Sequence, residues 1–183
     1  DSLISRRPEE IQPLMIAGNF MASRGRVEEA EKQFLAAIDL DPDHFAPHMS
    51  LARLLSRQGE TREAETHIQK ALAIEPDNFE VKTAYGEFLF ATRQLDKAVS
   101  LVDEILEKRP NYPAANQLKG RLLSAKKEYD AAIPIFQTLV KDEPDSARYN
   151  FLLGAAYFGK REFDQAKPFL AAALEKNPGL LQA

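Results

Sequence analysis

The sequence contains no cysteine. The chain can therefore form no disulfide bond, no thiolate metal site and no cysteine nucleophile. The same absence fits the cytoplasm and the periplasm alike, so it leaves the cellular compartment open. Hydrophobic residues make up 44% of the chain, but no apolar run approaches the roughly 20 residues that a membrane-spanning helix needs. No signal peptide is visible, and we expect no membrane span.

Basic residues are fewer than acidic ones. The chain has 24 lysines and arginines against 28 aspartates and glutamates, which gives a formal net charge of −4. Nucleic-acid-binding modules usually carry a basic stripe, so this balance argues against a nucleic-acid partner. The sequence has no glycine-rich phosphate loop, no H-E-x-x-H zinc signature and no nucleophile elbow. We therefore expect neither enzymatic activity nor a cofactor.

What the sequence does contain is a fixed period. Prolines follow one another at intervals of 34 residues, at Pro42, Pro76, Pro110, Pro144 and Pro178. A constant spacing in this range is typical of a repeat architecture. A proline cannot continue a helix, so we expect each of these prolines to end one repeat.

Small and large apolar residues follow the same period. The first small slot holds Ala30, Ala64, Ala98, Ala132 and Ala166; the second holds Gly18, Ala52, Gly86, Gly120 and Gly154. A large slot holds Phe34, Ile68, Val102, Phe136 and Leu170. Spacings of three, four and seven residues indicate helix faces, so each repeat is predicted to be two helices, roughly 11–24 and 27–40 in the first. The small slots predict close helix crossings, with the large slot filling the adjacent space at normal core density.

Different residues mark the break between the two helices of a repeat. Gly25 and Gly59 break the chain in the first two repeats. In the later repeats we predict N-cap residues for the second helix at Asp96, Asp130 and Asp164.

The pattern resembles that of the tetratricopeptide repeat (TPR) family over nearly the whole chain. In the last repeat the matching residues are Leu153, Gly154, Tyr157, Phe163, Ala166, Leu170, Ala173, Leu174 and Pro178. The chain departs from the family where tryptophan is frequent, at Leu14, His48, Lys82, Asn116 and Asn150, and at Lys119 in place of a usual leucine. The resemblance implies an all-α, right-handed superhelical solenoid of antiparallel helix pairs. It also implies that first helices line a concave groove and second helices form the convex back.

The period divides the chain into successive segments. They are a tail of a preceding repeat (1–10), five TPR units (11–44, 45–78, 79–112, 113–146 and 147–180) and the start of a further helix (181–183). Repeat arrays need polar caps on their terminal units, and we see none here. We therefore expect a segment of a longer array; the alternative is a natural protein with frayed ends.

Helical spacing on the first helices predicts the residues that face the groove. They are Met15, Asn19, Met49, Arg53, Arg57, Glu87, Phe90, Gln117, Arg121, Arg148, Phe151 and Phe158. The arginines can present planar forks to carboxylates, and the methionines and phenylalanines can supply apolar anchors. Arginines and aromatic residues together are the usual composition of interface hot spots. In the alternative, the arginines pair with Glu80 and Glu87 and the phenylalanines pack between helices.

The histidines raise the question of a metal. His44 and His48 are four residues apart, a spacing that can bind a metal from one helix face. No carboxylate-rich set converges on them, so we favour solvated surface histidines and expect no metal site. We interpret His67 as structural.

Two functional hypotheses remain from the sequence. The leading one is a non-catalytic protein–protein interaction scaffold that binds a partner peptide or helix in the concave groove. The alternative is a structural spacer or assembly module that self-associates through its uncapped ends or its convex face. We also interpret this kind of acidic, repeat-rich chain as bacterial.

Overall fold

The structure is a computed structural model that describes residues 8–181, so the predictions for residues 1–7 and 182–183 lie outside the described residues. Over this range the chain forms α-helices and one short 3₁₀ helix, Pro178–Leu181, and no strand. The helices are α1 (Pro8–Ser23), α2 (Val27–Leu40), α3 (Phe45–Gln58), α4 (Thr61–Ile74), α5 (Phe79–Ala91), α6 (Leu95–Lys108), α7 (Pro113–Ala125), α8 (Tyr129–Asp142), α9 (Ala147–Gly159) and α10 (Phe163–Lys176). The predicted all-α fold of repeated helices is confirmed.

The ends of the second helices follow the proline period. Helices α2, α4, α6, α8 and α10 each end two residues before a proline of the 34-residue series. At the other end of the chain, α1 begins at Pro8, three residues before the predicted start. Proline suits the first helical position because its missing N–H would have no partner there.

The helices form two compact units, which meet in sequence at Tyr85 and Gly86 within α5. In the first unit, α1 packs on α2, α2 on α3 and α3 on α4. Its core includes Phe34 (1% exposed), Leu51 (1%) and Ile68 (3%). A Cβ added to Gly18 would lie 2.5 Å from the ring of Phe34, so α1 and α2 approach as closely as the small slot predicts.

The second unit repeats this packing. Helix α7 packs on α6 and α8, and α9 packs on α8 and α10. Its core is centred on Phe136 (1% exposed), Leu153 (1%) and Tyr157 (6%). A Cβ on Gly120 would lie 2.4 Å from Cε1 of Phe136, and one on Gly154 would lie 2.7 Å from Cγ of Leu170. The small and large slots therefore fit together in this unit as predicted.

The turn between the two helices of a pair uses the same backbone conformation at five positions of the 34-residue period. Gly25 and Gly59 have φ of +73° and +85°, and the equivalent residues Arg93, Lys127 and Arg161 have φ of +62°, +64° and +68°. The left-handed conformation costs a non-glycine residue roughly 1–2 kcal/mol. A cation just beyond the carboxyl end of a helix interacts favourably with the helix dipole and offsets part of that cost.

The predicted N-caps of the later second helices are wrong. The residues at the N-cap are Gln94, Glu128 and Glu162, and none of their side chains makes a capping hydrogen bond. The three aspartates lie inside the first turn, where negative charge is favourable near the helix N-terminus. Two of them also accept from lysines at the ends of first helices: Asp96 from Lys126 at 3.0 Å and Asp130 from Lys160 at 2.8 Å.

Candidate functional site

The predicted site residues lie on first helices in both units. Met15 and Asn19 are on α1, Met49, Arg53 and Arg57 on α3, Glu87 and Phe90 on α5, Gln117 and Arg121 on α7, and Arg148, Phe151 and Phe158 on α9. One of them does not reach the surface, because Gln117 is only 7% exposed. Helical spacing gives the direction of a side chain and not the neighbours that cover it, which is why the expectation of an exposed Gln117 was wrong.

In the first unit the site is polar and basic. Arg53 and Arg57, one turn apart on α3, are exposed and line a depression of about 200 Å³ together with Asn19 and Ser23 of α1. Neither arginine forms an ion pair or hydrogen bond with the described part of the chain. Met15 and Met49 are half-buried. This surface, which we call the α1–α3 surface, therefore offers two unengaged guanidinium groups to carboxylates.

In the second unit the site is a cleft of about 330 Å³. Phe90, Arg121 and Ser124 line one side, and Leu152 and Ala155 of α9 line the other. Tyr129 and Phe136 of the second helix α8 also line it. We call this cavity the α7–α9 cleft.

Arg121 is engaged within the cleft wall. Its Nη1 donates to both carboxylate oxygens of Glu87, at 2.5 and 2.7 Å. Its guanidinium also lies over the ring of Phe90, 4.6 Å from the ring centre, a cation–π contact. For Arg121 and Phe90 the arrangement agrees with the alternative of internal pairing. Because Glu87 already neutralises Arg121, this arginine is a wall of the cleft and not an open carboxylate receptor.

One hydroxyl group beside the cleft has no hydrogen-bond partner. Ser124 Oγ is inaccessible to solvent and makes no hydrogen bond to any described residue. A buried polar atom without a partner is uncommon in folded proteins, but this oxygen is closed off from solvent and so does not itself face a molecule in the cleft.

Helix α9 adds an exposed apolar stripe to the cleft. Phe151 is 42% and Phe158 58% exposed, and the exposed Ala155 lies between them on the same face. Arg148 precedes the stripe by one turn; it is exposed and has no ion-pair partner in residues 8–181. Phe158 also makes an edge-to-face contact with Phe163, at 5.2 Å between ring centres.

Sequence reasoning did not find the contribution of Tyr129 to the cleft, because it considered only first helices. The available signal was Gly159 at the end of α9. A Cβ at this position would lie 2.5 Å from Cζ of Tyr129, so the tyrosine ring packs directly on the α9 backbone.

The histidines are arranged differently from the expectation. His48 is 3% exposed, so its interpretation as a solvated residue is wrong, and its partner is His67, with 2.9 Å between the two Nδ1 atoms. His44 instead caps α3, where its Nδ1 accepts from the Ala46 N–H at 3.2 Å. Burial lowers the pKa of both paired histidines, that of His67 to about 4. Among the described residues no three or more histidines and carboxylates are grouped to hold a metal.

Comparison with models of known protein families identifies the family of the chain. A family model described as Tetratricopeptide repeat matches residues 57–122 and 123–183, and a second model of the same description matches residues 22–60. The chain is a tetratricopeptide repeat protein. TPR proteins are in general protein–protein interaction scaffolds, and the fold of this chain supports that general role. Within the described range no helix is long and apolar enough to cross a membrane.

Solved structures share the TPR fold. PilF of Pseudomonas aeruginosa is 20% identical with a TM-score of 0.81, over 93% of this chain and 78% of that one. TTC0263, a thermophilic TPR protein of Thermus thermophilus, is 21% identical with a TM-score of 0.77, over 94% of each chain. YrrB, described as a TPR protein with an unusual peptide-binding site, is 20% identical with a TM-score of 0.64, over 96% of this chain and 90% of that one. No curated protein sequence matches this TPR chain.

Proposed function

We propose that this TPR protein is a non-catalytic scaffold whose first-helix faces bind a peptide or helix of a partner protein. The observation that carries the proposal is the α7–α9 cleft, an open cavity of about 330 Å³ lined mainly by apolar side chains. A concave, mostly apolar cavity with a few polar groups is the usual form of a binding site. The peptide-binding site named for the TPR protein YrrB supports the same kind of function.

The two units contribute different chemistry to this proposal. The α1–α3 surface carries the unengaged Arg53 and Arg57 and suits acidic groups of a partner. The α7–α9 cleft suits apolar side chains. The proposed binding residues are Met15, Asn19, Met49, Arg53, Arg57, Glu87, Phe90, Arg121, Arg148, Phe151 and Phe158; Gln117 is left out because it is buried.

The test is a pull-down from the native source with the wild-type chain beside two matched variants. Ala155→Arg places a long side chain at an exposed position that lines the cleft. Ala171→Arg makes the same change at an exposed position of α10, outside the cleft. We expect a partner that the wild type and Ala171→Arg retain and that Ala155→Arg loses, with equal melting temperatures for all three.

A second variant set covers the first unit. Arg53→Glu reverses the charge of a residue without an internal partner, so it can weaken binding of an acidic partner without disturbing the fold. A partner retained equally by wild type, Ala155→Arg and Arg53→Glu would contradict the proposal. Glu87 makes Arg121 unsuitable for this test, because reversing Arg121 would bring two carboxylates together.

Exposed apolar residues favour the alternative of a self-associating spacer. Ile16 and Phe20 of α1 are 67% and 54% exposed, and Phe163 of α10 is 56% exposed. In the spacer hypothesis these residues are contacts between copies. A mass by light scattering that rises with concentration, and stays monomeric in Phe20→Ser, would support the spacer; a constant monomer mass in the wild type would argue against it.

A further inference from the structure

We infer that the partner segment bound beside α9 is an amphipathic α-helix with an acidic residue at one end of its apolar stripe. The inference rests on the proposed function and narrows it, because that proposal allows either an extended peptide or a helix. It is carried by the exposed face of α9, where Arg148, Phe151, Ala155 and Phe158 follow one another at intervals of three and four residues.

The spacing of the two exposed phenylalanines matches a helix. They are seven residues apart, and at 1.5 Å per residue they project from α9 about 10.5 Å from each other. Ala155 lies between them and leaves a low point on the surface. A second helix repeats its own apolar residues at the same interval, so that its side chains can fill the space over Ala155 while the phenyl rings fill its grooves.

An extended peptide fits this spacing less well. Its side chains advance about 3.3 Å per residue and alternate between faces, so same-face residues recur at roughly 6.6 and 13 Å. A polyproline II peptide comes nearer, because every third residue returns to one face after about 9.3 Å. The polyproline form is therefore the competing conformation that the experiment has to separate from a helix.

The charge of the exposed α9 face indicates which charged residue the partner helix should carry. Arg121 is neutralised by Glu87, with Nη1–Oε2 at 2.7 Å, whereas Arg148 is exposed and lacks an ion pair with any described residue. The uncompensated charge at this face is therefore positive, although the chain as a whole has a net charge of −4. An acidic residue on the partner helix, one turn before its apolar residues, would pair with Arg148.

The experiment is a selection of random 16-residue peptides displayed on phage against the whole chain. Enriched peptides are synthesised, their affinity is measured by fluorescence anisotropy, and their conformation is followed by circular dichroism on binding. We expect apolar residues at intervals of three, four and seven, an acidic residue next to them, and a gain of helical signal in the complex. Phe151→Ala and Phe158→Ala should each weaken binding about tenfold or more.

Two controls make these effects specific. Phe20→Ala truncates an exposed phenylalanine of α1 (54% exposed) and should leave the affinity unchanged. Arg148→Ala should weaken binding about three- to tenfold at low salt and less at high salt, since the exposed ion pair is screened. All truncated side chains are exposed, and equal melting temperatures would verify that the variants stay folded.

The outcomes separate this inference from the proposed function. Enriched peptides with proline every third residue, or with alternating apolar residues and no helical signal, would overturn the helix and leave the binding face intact. Enriched peptides that ignore the α9 variants but lose affinity with Arg53→Glu would also overturn it while supporting the scaffold. A selection without any peptide that depends on either face would count against both.

Discussion

Replacing Gly120 by alanine tests the close helix packing of the second unit. The added Cβ would lie 2.4 Å from Cε1 and 2.6 Å from Cζ of Phe136, and Phe136 belongs to the packed core of the second unit, so a shift of its ring would disturb the residues around it. Overpacking of this kind costs about 1–3 kcal/mol. Alanine in a helix interior recovers about 1 kcal/mol relative to glycine. We therefore expect a net loss in the free energy of unfolding of up to about 2 kcal/mol.

The sign of the effect should depend on the ring of Phe136. Leucine at this position lacks the two ring atoms that the new Cβ approaches most closely. In a Phe136→Leu background, Gly120→Ala should therefore cost less, or stabilise the protein by up to about 1 kcal/mol, because the two closest contacts are gone and alanine has the higher helix propensity. Gly86→Ala is the comparison: its Cβ would lie below 3.0 Å from one atom only, a terminal methyl group of Leu118 at 2.8 Å, so we expect a smaller loss of stability than for Gly120→Ala.

The assay is urea-induced unfolding followed by circular dichroism at 222 nm, since the chain has no tryptophan for fluorescence. The four proteins with and without each change form a double-mutant cycle, which isolates the coupling between the two positions. If Gly120→Ala changed the free energy of unfolding by the same amount and with the same sign in both backgrounds, the reasoning would be refuted, because the close contact with the Phe136 ring would then carry no energetic cost.

Two further predictions concern the first unit and the turns. Gly59 has φ of +85° and open space around it, so Gly59→Ala should lower the free energy of unfolding by about 1 kcal/mol through backbone strain alone. Lys127→Gly should leave the free energy of unfolding unchanged or raise it slightly. Both changes are measured by urea unfolding, and a stabilising Gly59→Ala would contradict the prediction. The pKa of His67 is lowered from 6.5 to about 4, so between these pH values the unfolded chain binds a proton that the folded chain does not, and stability should fall as the pH decreases. After allowing for the partial exposure of His67, we expect a loss of about 1 kcal/mol between pH 7 and pH 5, and a smaller one in His67→Gln; stability that increased with acid would contradict it.

The helix pairs could be predicted from the sequence because their packing is periodic. Proline recurs where each second helix ends, and a small residue recurs where two helices cross, as at Gly120 against Phe136. Both signals act over short distances and repeat with the chain. The turns were predicted only where they contain glycine. The 34-residue period leads from Gly25 and Gly59 to Arg93, Lys127 and Arg161, but these residue types do not themselves indicate a left-handed backbone.

The site could be predicted less completely, because its contacts join residues of different helices. Helical spacing placed Phe151 and Phe158 correctly on an exposed face. It could not show that Gln117 is covered, or that His48 pairs with His67, nineteen positions away, and not with His44, the N-cap of its helix. Such pairs depend on the relative rotation of neighbouring helices, which the spacing along one helix does not contain.

The ion pair between Arg121 and Glu87 depends on which helix pair follows which along the chain. Its two residues occupy the same position of the 34-residue period, so a pair of identical repeats could not form it. Removing the helix pair that begins with α7 would bring Ala155 opposite Glu87, and duplicating it would bring one arginine opposite another. Helix pairs that are interchangeable in their packing are thus made distinguishable by their charges: losing this pair would remove the ion pair, and duplicating it would place like charges side by side.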